Sequence, residues 1–253
     1  MAHPFELTHQ IEVDAPPEVV WDAIATGPGV DSWFMGRNEV EGHEGGTART
    51  VLPGTSFEST ITTWQPPTRL VQQGQEGPGG ARHIFDYTIE PAEKGRTLVR
   101  WVHSGALAGD DWEAQYEGMS EGDPVYFNKL GEYLTYFRGR RAVPVNVYGP
   151  RIEGGPDVAW KIYAEGLGLD GPVEVEQHVR LTPQGLPVLD GVVDWRTPSF
   201  LGVRTDDGMY RFWYVWNDSV GMGHHIFREG LDQGETERAW ADWLNDLFAS
   251  VAV

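Results

Sequence analysis

The chain has 253 residues, of which 38 are acidic and 19 basic, and its formal net charge is -19 at pH 7. This acidic balance disfavours nucleic acid and anionic membrane surfaces as partners. The sequence contains no cysteine, which excludes disulfide bonds and thiolate chemistry. Its 11 tryptophans and 32 glycines are typical of a strand-rich fold with broad aromatic surfaces and many tight turns.

The amino-terminal stretch indicates a soluble, cytoplasmic protein. MAHPFELTHQ lacks the positive and apolar regions of a signal peptide. No apolar run in the sequence approaches the ~18 residues that span a bilayer. We therefore expect no transmembrane segment.

Residues 4–13 predict a half-buried strand, because apolar or aromatic residues alternate there with polar ones. The predicted inward face comprises Phe5, Leu7, His9, Ile11 and Val13. Asp14 is predicted to cap a following helix that enters through Pro16 and Pro17. A short aromatic stretch then places Trp33 and Phe34 beside this helix.

Residues 37–103 predict about six strands, separated by glycine and proline turns. Strands joined so closely in sequence pair most easily as an antiparallel meander. In the fifth strand of this meander, His83, Phe85 and Tyr87 share one face by alternation, and Trp101 and His103 share one face of the sixth.

Residues 123–140 predict a long helix, whose buried face is formed by apolar residues at spacings of three and four. The residues of this face are Phe127, Leu130, Leu134 and Phe137. Asp123 is predicted to cap the helix, with Pro124 at its first position. Residues 104–122 are predicted to form an acidic connection that precedes it.

The order of strand, helix, aromatic turn, six strands and long helix resembles the START-like (SRPBCC) helix-grip superfamily, and more narrowly its branch of activators of heat-shock-protein-90 ATPase homologues. The segments that carry the resemblance are IEVDAPPEVVWDAIA, SWFMG, TTWQPPTRLV, GRTLVRWVHSG and LGEYLTYF, within residues 5–140. The resemblance implies a sheet wrapped around the terminal helix, with an apolar cavity between them that binds hydrophobic small molecules or lipids.

The second half of the chain repeats features of the first. VPVNVYG followed by GPDVAWKIYAEGLG repeats the first strand and helix and aligns Trp160 with Trp21. GVVDWRTPSFLGV repeats STITTWQPPTRLV and aligns Trp195 with Trp64. The carboxy-terminal ETERAWADWLNDLFASV repeats the long helix. Trp213, Tyr214 and Trp216 of a late strand are interpreted as packing residues.

We therefore predict an α+β chain of two domains: a START-like helix-grip domain over residues 1–141 and a shortened second copy over residues 142–253. Paired START-like halves suggest that a fused pair could replace a homodimer interface. The chain is accordingly expected to be a monomeric pseudo-dimer or a homodimer.

The predicted site is a cavity that binds a hydrophobic small molecule, with aromatic walls and a few polar anchors. A side-chain-filled core is the alternative interpretation of the same residues. The predicted lining residues are Trp33, Phe34, His83, Phe85, Tyr87, Trp101, His103, Phe127 and Leu130.

Two other functions stay open from the sequence. The first is an enzyme like the superfamily's polyketide cyclases and aromatases, with His83, His103, Tyr87 and Arg100 as candidate groups, although Arg100 alternates to the wrong face. The second is a module that regulates a chaperone's ATPase, which is what the branch resemblance implies.

No catalytic residue, metal site or cofactor is predicted. His224 and His225 are adjacent in a strand and therefore point to opposite faces, and no paired metal-ligand spacing occurs. The glycine-rich stretches QEGPGGAR and EGHEGG lack the features of a phosphate-binding loop and indicate hairpin turns.

Overall fold

The computed structural model describes residues 2–215 and 218–253, so the predicted packing residue Trp216 lies outside the described residues. The chain forms two compact α+β units, Met1–Arg141 and Ala142–Val253. Each unit combines one antiparallel sheet with helices.

The first unit contains a seven-stranded sheet with the order β1-β7-β6-β5-β4-β3-β2. The strands are His3–Val13 (β1), Arg37–Val40 (β2), Thr47–Leu52 (β3), Thr55–Gln65 (β4), Arg69–Gly74 (β5), Arg82–Pro91 (β6) and Thr97–Leu107 (β7). Strands β2 to β7 form the predicted meander of six strands, and β1 closes the sheet by pairing with β7.

Three helices accompany this sheet: Pro17–Ala25 (α1), Gly27–Val30 (α2) and Trp112–Glu132 (α3), and α3 continues into a wider helical turn at Tyr133–Phe137. Helix α1 begins after Pro16, which occupies the capping position without a side-chain hydrogen bond. The predicted cap by Asp14 is therefore wrong, because the two prolines shift the start of the helix beyond its reach.

The long helix α3 begins at Trp112 and not after Asp123. The predicted acidic connection thus contains the end of β7 and the first half of α3. Asp123 and Pro124 lie inside the helix. An Asp-Pro pair is typical of a helix start, so the local sequence alone predicted one there. The predicted buried face is confirmed, since Phe127, Leu130, Leu134 and Phe137 are all buried.

Helix α3 lies along β1 of the first sheet. The His3 ring stacks on the Trp112 ring with centroids 4.2 Å apart, and Phe127 lies against His9 at 6.0 Å. Further along, a side chain at Gly131 would contact Ile11. The helix therefore runs along β1 from His3 to Ile11.

The second unit contains a six-stranded sheet with the order β8-β13-β12-β11-β10-β9. Its strands are Val143–Arg151 (β8), His178–Leu181 (β9), Leu189–Arg196 (β10), Phe200–Thr205 (β11), Gly208–Val215 (β12) and Ser219–Ile226 (β13). Its helices are Gly155–Leu167 (α4) and Gln233–Phe248 (α5). As in the first unit, the first strand pairs with the last, and the others follow as a meander.

The two units share a strand order, and the described residues of the second unit form no counterpart of β2. The hairpin of β10 and β11 occupies the position of β4 and β5, as the alignment of Trp195 with Trp64 predicts. The α+β fold with a smaller second unit is therefore confirmed.

Helix α5 supplies the aromatic centre of the second core. Asp232 caps it by accepting a hydrogen bond from the backbone N–H of Glu235 at 2.8 Å. Its predicted apolar face is buried at Trp240, Trp243, Leu244 and Phe248, while Leu247 and Val251 pack at the margin. On α4, the hydroxyl of Tyr163 donates to the carbonyl of Gly221 at 2.9 Å and ties the helix to β13.

Candidate functional site

The inner face of the first sheet carries a grid of aromatic and imidazole rings, because residues opposite one another in an antiparallel pair point to the same face. His103 on β7 lies opposite Leu7 on β1 and Phe85 on β6. In the next row, Trp101 lies opposite His9 and Tyr87. The alternation in β6 and β7 thus correctly placed the predicted site residues of these two strands on one face.

Ring contacts connect this grid to α3. The Phe85 and His103 rings have centroids 4.5 Å apart, and the Trp101 and His103 rings are nearly parallel at 6.0 Å. Phe127 of α3 approaches Trp101 at 5.8 Å. Leu130, one turn further along α3, is fully buried. These residues form a continuous wall between sheet and helix.

Three polar side chains form a hydrogen-bonded series within the wall. His103 Nδ1 lies 2.7 Å from Asp123 Oδ2, and His103 Nε2 lies 3.0 Å from His83 Nδ1. His103 and Asp123 are 4% and 8% exposed, whereas His83 is half-buried. The series therefore leads from a buried carboxylate towards the accessible end of the site. Asp123 was predicted as a helix cap, so its role here was missed.

Gly105 allows the close approach of β6 and β7 beside this series. Its φ is +146°, and a Cβ atom there would lie 1.9 Å from the carbonyl oxygen of Arg82. Gly105 is also the partner of His83 in the strand register. A residue without a side chain is therefore needed where the His83 and His103 rings meet.

Two predicted lining residues have their contacts elsewhere. Trp33 is 1% exposed, and its indole N–H donates to the carbonyl of Ala23 at 2.9 Å, which ties the aromatic turn to α1. Phe34 packs between Trp33, at 5.3 Å, and Tyr126 of α3, at 5.0 Å. Trp33 therefore packs against α1, and Phe34 packs against Trp33 and α3.

Two ring nitrogens in the wall are buried without a hydrogen-bond partner among residues 2–215 and 218–253: Nε2 of His9 and Nε1 of Trp101. Their rings are neighbours, with centroids 5.7 Å apart. Trp101 is itself 1% exposed, and a buried N–H group is normally paired. A partner for these atoms would have to enter between the sheet and α3.

Burial sets the protonation of the rings in the wall. It lowers the pKa of His83, an effect that the neighbouring His103 strengthens and Asp123 opposes. Burial likewise lowers the pKa of His9, with Asp123 acting in the opposite direction. The pKa of the Tyr87 hydroxyl is raised by burial, so it remains protonated. His9 and His83 are therefore neutral at neutral pH.

These shifts predict that the protein is less stable at pH 5.5 than at pH 7.5. A histidine whose folded pKa lies below its unfolded value of about 6.5 binds protons more readily in the unfolded chain. Its contribution to the free energy of unfolding is therefore fully present above pH ~6.5 and is lost as the pH falls. Urea unfolding at the two pH values measures the difference. His9→Gln should reduce it, whereas His43→Gln, at an exposed ring, should not. A flat or inverted dependence would contradict the assignment.

Among the described residues, no helix is long and apolar enough to cross a membrane, and no group of three or more side chains is arranged to hold a metal ion. Arg100 is exposed and points away from the wall, as its alternation predicts. His224 and His225 are both buried in β13 of the second unit.

A sheet whose first strand pairs with its last, with a long terminal helix against its inner face, gives the first unit a helix-grip fold. Residues 4–121, slightly less than half of the chain, match the family described as "Polyketide cyclase / dehydrase and lipid transport". The matched residues all lie within the first unit.

Several solved structures are similar to the chain. A protein from Mesorhizobium loti is 22% identical, with coverage of 51% of this chain and 96% of that one and a TM-score of 0.45. The Aha1 dimer from Colwellia psychrerythraea is 22% identical, with coverage of 53% and 99% and a TM-score of 0.45. DynU16, a putative protein in the dynemicin biosynthetic locus, is 15% identical, covers 96% of both chains and has a TM-score of 0.44. A search of the curated proteins finds no match.

Proposed function

We propose that the first unit binds a hydrophobic small molecule between β6, β7 and α3. The observation that carries this proposal is the pair of buried, unpartnered nitrogens on His9 and Trp101 within an aromatic wall. Ligand sites combine apolar and aromatic walls with a few polar groups that fix the orientation of the ligand. A ligand oxygen beside these nitrogens would supply their missing partner.

The burial pattern of α3 supports a groove that is open at one end. Five residues of the helix from Asp123 onward are buried, whereas none from Trp112 to Gly122 is buried. Across from this open half, His83 and Phe85 on β6 are only half-buried. An uncovered aromatic face beside a fully packed one is the expected form of an apolar ligand site with an entrance.

The far strands of the sheet extend the same surface. Ile61 on β4, Gln72 on β5 and Phe85 lie opposite one another in register and therefore face the same side. Phe57, four residues before Ile61 on β4, shares this face by alternation and is 58% exposed. The face of the aromatic wall thus continues to β4, where Ile61 is fully buried and Phe57 is exposed.

Binding of 4-nitroanisole, a neutral aromatic probe, tests the proposal by isothermal titration calorimetry. We expect saturable binding to the full chain and a loss of roughly tenfold in affinity for Phe85→Ala, since an aromatic contact contributes about 0.5–1.5 kcal/mol. Phe200→Ala is the matched control, because Phe200 is also half-buried but lies in the second unit. Absence of binding, or equal weakening by both variants, would refute the groove.

A second candidate is an enzyme of the polyketide cyclase or aromatase kind. The observation that favours it is the hydrogen-bonded series of His83, His103 and Asp123, because such chemistry needs a positioned base.

Four further interpretations of the sequence stay predictions. They are the narrower assignment to the heat-shock-protein-90 activator branch, the chaperone role, the cytoplasmic location and the pseudo-dimer.

A further inference from the structure

We propose that His83, His103 and Asp123 accept a proton from the ligand, and that the first unit selects a hydrophobic molecule bearing an acidic O–H group. This inference rests on the proposed function, since it assigns the ligand chemistry of the same groove. It makes His83 the group that touches the ligand and His103 the group that takes up the proton passed on by His83, while Asp123 is the positioning residue behind them.

We assign the direction of the series with Asp123 ionised and His103 neutral. An ionised carboxylate only accepts, so His103 donates to Asp123 through Nδ1. In a neutral ring the other nitrogen then accepts, so His103 Nε2 receives the Nδ1–H of His83 across 3.0 Å. His83 Nε2 is left with its lone pair, and it has no hydrogen-bond partner among the residues that the structure describes. Because His83 is half-buried, this atom is accessible from the groove.

The proposed step moves two protons and breaks no other bond. The ligand O–H gives its proton to His83 Nε2, and His83 passes its Nδ1 proton to His103 Nε2. The products are a ligand anion, a neutral His83 with its proton on Nε2, and a His103 imidazolium against the Asp123 carboxylate. The new positive charge thus forms next to a buried negative one, where a low local dielectric strengthens their attraction.

The groups around His83 favour this transfer. The titratable side chains that face it are His103 on β7 and Asp123 on α3, and His9 on β1 faces both of those. Neighbouring β5 contributes the neutral Gln72, which lies opposite Phe85 on the same face. Burial lowers the pKa of His83, so the ring is neutral at pH 7, and in the proposed step the positive charge forms on His103 and not on His83. Asp123 is the one carboxylate in this set.

The probe for this inference is 4-nitrophenol, with 4-nitroanisole as the methylated match that has no acidic proton. The nitrophenolate anion absorbs at longer wavelength than the phenol, so the spectrum reports which form is bound. At a pH where the free phenol is mainly protonated, we expect the full-length protein to bind it as the anion. We also expect it to bind more tightly than 4-nitroanisole.

Asp123→Asn tests the positioning role without removing the hydrogen-bond acceptor. The amide oxygen can still receive the His103 proton, but it cannot neutralise an imidazolium. A charged hydrogen bond contributes about 1.5–3 kcal/mol, so the affinity ratio of 4-nitrophenol to 4-nitroanisole should fall by roughly tenfold or more. Asp86→Asn is the matched control, because Asp86 lies on the same strand as His83 but bonds to Arg69 on the other face.

The outcomes separate this inference from the proposed function. If neither compound binds, the groove itself is refuted, and the inference falls with it. If both bind with equal affinity, or if Asp123→Asn leaves their ratio unchanged, the proton-accepting role is refuted while the groove stands. Nitrogen-15 spectra of the unliganded protein provide a further readout, since a His83 proton found on Nε2 instead of Nδ1 would overturn the direction of the series.

Discussion

Replacement of Arg211 by methionine is expected to lower the free energy of unfolding of the second unit by about 3–5 kcal/mol. Arg211 on β12 contacts Asp194 on β10, with Nη2 and Oδ2 2.7 Å apart and both side chains almost completely buried. Removing the guanidinium strands a buried carboxylate, whose other oxygen has no partner among the described residues. Methionine keeps the apolar part of the arginine side chain, so the lost stability reflects mainly the missing positive charge. Urea unfolding measures it.

The double variant Asp194→Leu with Arg211→Met provides the decisive comparison. A buried ion pair replaced as a whole by apolar residues is often tolerated, so the double variant should regain most of the lost stability. Arg69→Met is the exposed control: its pair with Asp86 lies at the surface, where such bridges contribute about 0–1 kcal/mol. A loss below 1 kcal/mol for Arg211→Met would mean that water reaches the pair.

Truncation of Trp240 to alanine is expected to cost the second unit about 3–5 kcal/mol, the range for removing a large aromatic side chain from a packed core. Trp240 is 2% exposed and packs edge-on against His224 at 4.6 Å and Trp243 at 5.6 Å. It also approaches Phe212 of β12 at 6.1 Å, so it joins α5 to the sheet. Chemical denaturation followed by circular dichroism measures the loss.

Trp160→Ala is the matched control for this truncation. Trp160 is only half-buried; its ring lies 4.6 Å from the Arg196 guanidinium, and its N–H donates to the carbonyl of Pro198. The same deletion should therefore cost clearly less than at Trp240. Equal losses at the two positions would contradict the assignment of Trp240 to the centre of the core.

The sequence was sufficient for features that depend on local periodicity. Alternation placed Trp101 and His103 on one face, and spacings of three and four identified the buried face of α3. The tandem arrangement was also predictable, because Trp195 repeats the setting of Trp64 in an equivalent hairpin. In each case neighbouring residues determine the pattern, so that no knowledge of the tertiary fold is required.

The role of Asp123 could not be predicted in the same way. An Asp-Pro pair favours a helix start, but the helix continues through it, and the carboxylate meets a histidine that is 20 residues away in sequence. Only the placement of α3 over β1 and β7 brings the two together. The same holds for His9. Alternation predicts that its side chain points inward, but the absence of a hydrogen-bond partner for its Nε2 is determined by rings on other strands and on α3.

The pairing of first and last strands delays the completion of each unit. β1 finds its partner only in β7, and β8 only in β13, so both contacts join segments far apart in sequence. Such long-range closure is slow, because the entropy of the intervening chain is lost before the pairing is gained. During synthesis, β1 must leave the ribosome and wait for nearly the whole unit. Its unpaired edge is then the segment most exposed to aggregation or to capture by other chains.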